Sequence, residues 1–199
     1  MKKNGSNGNG NGVKLKKGKK AALVYLHKII WDLYFKTDNQ KVFYDKMENH
    51  DITFCFGPAG TGKTYLSMFY ALKLLADKTN NIEGLILCRP LISIDNESIG
   101  YLPGELEDKV DPYMMSYWQT IEKIIGLPAL ELLLASKVIK VIPLAFFRGL
   151  TLDNRIIIYD EAQNSTTTAM KSFLTRIGEK SKMVVMGDIN QTDRKNGSS

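Results

Sequence analysis

Asp51-Ile52-Thr53-Phe54-Cys55-Phe56-Gly57-Pro58-Ala59-Gly60-Thr61-Gly62-Lys63-Thr64 is the stretch on which the architecture turns. Asp51 to Phe56 form a β-branched and aromatic run, too few residues for a helix, and Gly57-Pro58 stops them. They predict a buried strand. The remainder satisfies G-x-x-x-x-G-K-[ST] in full at Gly57, Pro58, Ala59, Gly60, Thr61, Gly62, Lys63 and Thr64. Beyond it, residues 63–76 carry Leu66, Met68, Phe69, Leu72 and Leu75 at helical spacing. Strand, glycine loop and helix in that order are the context a phosphate loop requires. Glycines let backbone N–H groups turn inward around a phosphate, and the helix N-terminus adds partial positive charge. Lys63 is the expected contact to β- and γ-phosphate oxygens, and the Thr64 hydroxyl the expected magnesium ligand.

Working outward, residues 85–88, 138–142, 156–159 and 183–186 are further short apolar runs. Helical patterns lie between them at 105–125, broken or re-entered at Asp111-Pro112, and at 166–177. Two more helices are expected at 21–35 and 39–48. Strands that are apolar without alternation, separated by helices, indicate a mainly parallel sheet covered on both faces. The expected class is α/β in three layers, with no internal repeat.

Two of these strands end in chemistry. Arg155-Ile156-Ile157-Ile158-Tyr159-Asp160-Glu161 delivers two carboxylates to the edge where open α/β sheets bind ligands. Asp160 is placed to hold magnesium, directly or through water. Glu161 falls on the opposite side in strand alternation and can act as general base toward an attacking water. The last run continues into Gly187-Asp188-Ile189-Asn190-Gln191-Thr192-Asp193, where the neutral amide of Gln191 can bridge a γ-phosphate and that water.

With 44% hydrophobic and 24% charged residues, the 199-residue chain is neither wholly disordered nor fibrous. No segment approaches the ~20 uninterrupted apolar residues of a membrane helix, and the start lacks a signal-like apolar core, so a soluble cytoplasmic protein is expected. Cys55 and Cys88 sit in apolar runs and read as buried thiols. His27 and His50 have no metal-ligand spacing, and Tyr113, Tyr117 and Trp118 read as core-packing residues. Net charge is +6, but seven of the 27 basic residues lie in residues 1–20, which hold no acid. The body from 21 to 199 therefore carries −1. Residues 1–20 are expected to be a disordered basic tail, read first as a solvated extension and second as an attachment to nucleic acid through counterion release. Residues 21–199 are expected to form a single domain.

The phosphate loop, Tyr159-Asp160-Glu161-Ala162-Gln163-Asn164 and Gly187-Asp188-Ile189-Asn190-Gln191-Thr192-Asp193, in that order, resemble the motor core of superfamily 1 helicases. The intervening text narrows the likeness. Cys88-Arg89-Pro90, Ile99-Gly100-Tyr101-Leu102-Pro103-Gly104-Glu105 on to Asp111-Pro112-Tyr113, Pro143-Leu144-Ala145-Phe146-Phe147-Arg148-Gly149 and Phe173-Leu174-Thr175-Arg176-Ile177-Gly178 look like the PhoH-like proteins, a P-loop ATPase family linked to phosphate starvation and frequent in phages. The resemblance covers about residues 38–193, and its Leu-Pro-Gly to Asp-Pro-Tyr segment is not a general P-loop feature.

The resemblance implies a RecA-like P-loop NTPase fold, binding of ATP with Mg²⁺ and its hydrolysis. It also implies RNA or single-stranded DNA as a partner class, a homo-oligomeric ring, and the bacterial or phage-host cytoplasm as location. Its catalytic residues map onto Lys63, Glu161 and Gln191. Arg148 and Arg176 are candidates for the arginine that contacts the γ-phosphate, and both equally suit a surface salt bridge. Arg89 suits a nucleic-acid or subunit surface. Gln40 lies 17 residues before Gly57, where such motors carry an adenine-reading glutamine, and an exposed helix residue is the equal alternative. Leu150 stands where the family usually has a second arginine. The family ordinarily continues through a final sheet-and-helix segment, so the domain is expected to be incomplete at its C-terminus, without a second motor or a nuclease domain. Against hydrolysis stands an alternative of another class: a nucleotide-gated nucleic-acid-binding module with negligible turnover.

Overall fold

The computed structural model describes residues 9–90, 106–147 and 149–191. Its elements are α1 (Asn9–Leu26), α2 (Asp38–Asn49), β1 (Ile52–Phe56), α3 (Lys63–Ala76), β2 (Gly84–Cys88), α4 (Leu106–Ile125), α5 (Leu127–Ala135), β3 (Ile139–Val141), β4 (Arg155–Tyr159), α6 (Thr167–Leu174) and β5 (Lys182–Gly187). Short 3₁₀ turns occupy Leu144–Phe147 and Ala162–Asn164. The five strands form one sheet in the order β1-β5-β4-β2-β3, every pair parallel. β5 thus separates the strand that enters the glycine loop from the strand that ends in the acidic pair. This is the α/β, mainly parallel P-loop architecture the sequence predicts.

Strand pleating sorts the apolar runs into two cores. Leu85, Leu87, Ile156, Ile158, Val184 and Met186 face one side, where Leu26, Met47, Leu72, Ile121 and Leu133 bring in α1 to α5. Ile86, Cys88, Ile157, Tyr159, Met183 and Val185 face the other, closed by Phe147 and by Phe173 of α6. β2, β4 and β5 are buried on both faces, so these strands need no polar alternation. Thr37 and Thr166 cap α2 and α6 by accepting from the Gln40 and Ala169 N–H groups. β1 lies at the edge of the described sheet, with Phe54 and Phe56 half exposed and stacked at 6.2 Å.

Three elements differ from the sequence reading. The disordered tail was expected to reach residue 20, whereas residues 9–20 belong to α1; residues 1–8 lie outside the described residues. Lysine, alanine and leucine favour a helix, and burial of Ala22 and Leu26 with the Lys19–Glu83 ion pair at 2.7 Å anchors it. The same helix stops at Leu26 instead of running to 35. Trp31, Leu33 and Phe35 instead pack inward from an extended segment while Ile30 and Tyr34 stay exposed, an alternation of two that mimics a helical pattern over few residues. α4 runs unbroken through Pro112, and α5 was not anticipated because Leu127–Ala135 is apolar nearly all round and lacks a stripe.

Candidate nucleotide site

Parallel strands end on one edge, so β1, β4 and β5 discharge their loops into a common space. There a cavity of about 310 Å³ is lined by Gly60 to Thr64, Asp160, Glu161, Asp188 and Gln191. Gly60 and Gly62 take φ of +74° and +89°, which L side chains resist, and these two turns fold the loop over the start of α3. Gly62 is the N-cap of α3 and offers no side chain to its first N–H groups, which a helix leaves without intrahelical partners. The Lys63 ammonium lies inside the loop, donating to the Gly57 and Pro58 carbonyls at 2.6 and 2.8 Å.

Asp160 is buried at the cavity floor and held from three directions. Its Oδ2 accepts from the Thr64 hydroxyl at 3.1 Å and from the Tyr117 hydroxyl at 2.9 Å, and its Oδ1 accepts from the Glu161 N–H at 2.9 Å. Tyr117 packs in the core as expected, yet its polar end reaches the site. Burial, and then the neighbouring Asp160 carboxylate, push the Tyr117 phenol far above its ordinary range, so it remains a donor.

Glu161 departs from the simple pleat. β4 ends at Tyr159, and Glu161 takes the left-handed conformation at φ 56°, ψ 38°, so both carboxylates line the same cavity rather than opposite faces. Gln163 donates to Glu161 Oε2 at 2.6 Å, and Arg89 stands 3.7 Å from Oε1. The same Gln163 accepts from the Asp188 N–H at 3.0 Å, joining the ends of β4 and β5. A Cβ at Gly187 would lie 2.7 Å from Gln163 Oε1, so any side chain there would have to displace the amide that joins the two strand ends. Gln191 reaches the cavity rim from a turn closed by its N–H to the Asp188 carbonyl at 3.1 Å.

The other sequence candidates are placed as follows. Gln40 is half buried, and its amide accepts from the Lys36 N–H at 2.8 Å and donates to the Thr61 carbonyl at 2.9 Å, clamping the phosphate loop to the start of α2. Arg176 is not brought to the cavity. It donates to the Leu150 carbonyl at 3.4 Å and to the Thr175 hydroxyl at 3.0 Å, beside the segment that leads into the opposite end of β4. Arg148 and the Leu-Pro-Gly segment at 102–104 lie outside the described residues. Tyr117, Gln163 and Asp188 were not assigned to the site from sequence. Gln163 and Asp188 sat inside motifs already singled out, whereas nothing in α4 marked Tyr117. Cys88 is buried and Cys55 partly so, and burial pushes both thiols up, consistent with packing roles.

The donor set suits magnesium. Thr64 and Asp160 offer hard oxygen ligands at the cavity wall, and magnesium commonly takes one or two protein oxygens and completes its shell with water and phosphates. Among the described residues no group of three or more His, Cys, Asp or Glu gathers into an all-protein metal cage, and no helix is long and apolar enough to cross a membrane.

Comparison with known proteins places this geometry. The family model described as PhoH-like protein matches residues 32–199. The chain is 43% identical over 162 residues to a PhoH-like protein of Bacillus subtilis (strain 168), covering 81% of this chain and 50% of that one. It is 44% identical over 161 residues to a PhoH-like protein of Synechocystis, covering 81% and 48%, and 34% identical over 164 residues to Protein PhoH of Escherichia coli (strain K12), covering 81% and 46%. The chain spans about half the length of these curated relatives. With the motif order, the parallel sheet and the match agreeing, the chain belongs to the PhoH-like protein family, an α/β family of P-loop, nucleotide-binding type.

Proposed function

We propose that this chain binds ATP with magnesium and hydrolyses it by in-line attack of a water molecule. The observation that carries the reading is the convergence, in one cavity, of the phosphate loop, the Asp160–Thr64 pair, the Glu161 carboxylate and the Gln191 amide. Loop N–H groups and the start of α3 hold the phosphates. Lys63 exchanges its two loop carbonyls for phosphate oxygens and offsets the charge that develops on them. Thr64 and Asp160 hold magnesium, which supplies charge neutralisation on the phosphates when bound. Glu161 takes a proton from the water, and Gln191 orients that water against the γ-phosphate. Gln163 and Arg89 each meet a different oxygen of Glu161, and Gln163 also bonds the Asp188 N–H, so the orientation of the base is tied to the ends of β4 and β5.

Glu161→Gln removes the base and keeps the shape. It is expected to bind ATP within about threefold of the parent protein while phosphate release falls by at least ~100-fold, the usual worth of a positioned general base. A steady-state phosphate assay with a parallel binding titration reads both. Unimpaired release by this variant would remove Glu161 from the chemistry, whereas negligible release by the parent protein that still binds ATP would leave the nucleotide-gated reading in its place.

A further inference from the structure

Two hydroxyls from distant parts of the chain meet on one oxygen of Asp160. Thr64 belongs to the phosphate loop and donates at 3.1 Å, while Tyr117 comes from α4 and donates at 2.9 Å. The Tyr117 side chain is 3% exposed, and its ring packs in the same apolar cluster as Leu87 and Ile158. A buried phenol must find a partner for its hydroxyl, and a phenylalanine would fill that space without one. The hydroxyl is therefore the informative atom. With the Glu161 N–H on Oδ1, three donors from α3, α4 and the end of β4 fix the carboxylate plane. A carboxylate has about four acceptor directions. Among the described residues three are filled, which leaves one, on Oδ1, for a metal or a metal-bound water.

From this geometry we infer that Tyr117 is a positioning residue for the metal-binding carboxylate, holding Asp160 so that its free acceptor direction is ready for magnesium. The inference rests on the magnesium-nucleotide reading above. Tyr117 does not line the cavity itself. It acts through Asp160, as outer-shell hydrogen bonds act on ligands at other metal sites, where their loss commonly costs 10–100-fold in metal affinity. It also makes the seating of α4 against the sheet a determinant of metal binding, because the donor moves with that helix.

The test is a magnesium titration of nucleotide binding on the full chain, with a fluorescent ATP analogue, for the parent protein and Tyr117→Phe. The phenyl ring keeps the core filled and deletes only the donor. The expected result is an unchanged affinity for the analogue in EDTA and a magnesium midpoint raised about 10-fold or more. In an Asp160→Asn background the same substitution is expected to change the midpoint little, since coupled residues are not additive. An unchanged midpoint in Y117F, or an equal loss with and without magnesium, would overturn the proposal and make Tyr117 a packing residue only. If Y117F is too unstable to purify, 3-fluorotyrosine at position 117 alters donor strength without emptying the core, and a shifted or unshifted midpoint decides in the same way. Parent protein that binds the analogue with no magnesium dependence overturns this inference and leaves nucleotide binding standing. Parent protein that binds no nucleotide in either condition overturns both.

Discussion

Gly62 shows how narrowly the phosphate loop is built. Its φ of +89° lies where an added Cβ is strained, and that Cβ would also stand 3.1 Å from Gln40 Nε2, the group that clamps the loop through Thr61. Gly62→Ala combines a left-handed alanine, costing about 1–2 kcal/mol, with crowding that pushes on the Gln40 amide of the clamp. Titration with ATP is expected to show affinity lowered about 10-fold or more, and unaltered affinity would mean that the loop does not need this turn. Gly57 to Thr64, Asp160 and Glu161 were legible as site residues because their types and order are set by phosphate and metal chemistry. Gln40 fits neither of its readings in full. It is a helix residue, but both ends of its amide are engaged by backbone, which sequence spacing alone does not reveal. Tyr117 was illegible in a stronger sense. A tyrosine at helical spacing looks the same whether its hydroxyl meets water or a carboxylate 43 residues further along the chain.

The elements were legible where burial on two faces left a plain mark. β1, β2, β4 and β5 and helices α2 and α3 stand within a residue or two of where apolar runs and breakers place them. α1 and the segment after it were misread because Leu23, Leu26, Ile30, Leu33 and Tyr34 fall at helical spacing, although Ile30 and Tyr34 stay exposed while Trp31, Leu33 and Phe35 pack inward, and α5 was missed for lack of any stripe. α6 covers its face of the sheet with Phe173, flanked by Met170 and Leu174, while Phe147 and Leu152 join the same cluster from outside the helix. Phe173 is fully buried, with ring centroids 4.9 Å from Phe147 and 4.5 Å from Tyr159, and the Tyr159 hydroxyl is in turn bonded to that of Ser165. Phe173→Ala is expected to lower unfolding free energy by about 3–5 kcal/mol in a denaturant melt, because the flat strand face below cannot collapse into the void. A loss under about 1 kcal/mol would mean that this face is not a packed core. Since β4 carries Asp160 and Glu161, the same substitution should weaken nucleotide binding through geometry, with no charge removed.

At the scale of the molecule, one edge of a parallel sheet collects chemistry from three strands, while charge is distributed quite differently. The body carries −1 and the first 20 residues +7, so electrostatic attachment to RNA or single-stranded DNA would draw on lysines that α1 partly orders rather than on the nucleotide edge. Lys19 is already engaged by Glu83. β1 holds the phosphate loop at the sheet's margin, with exposed Phe54 and Phe56 beside it, so the loop's support comes from β5 on one side and from α2 through Gln40. The central claim is that this edge is an ATP site whose phosphates are gripped by the loop and Lys63. Calorimetric titration of ATP with magnesium into the parent protein and Lys63→Ala tests it most directly. A single saturable site in the parent protein, weakened about 10–100-fold in the variant as one charge-assisted contact is lost, is the predicted result; no binding by the parent protein, or equal affinity in both, would contradict the account.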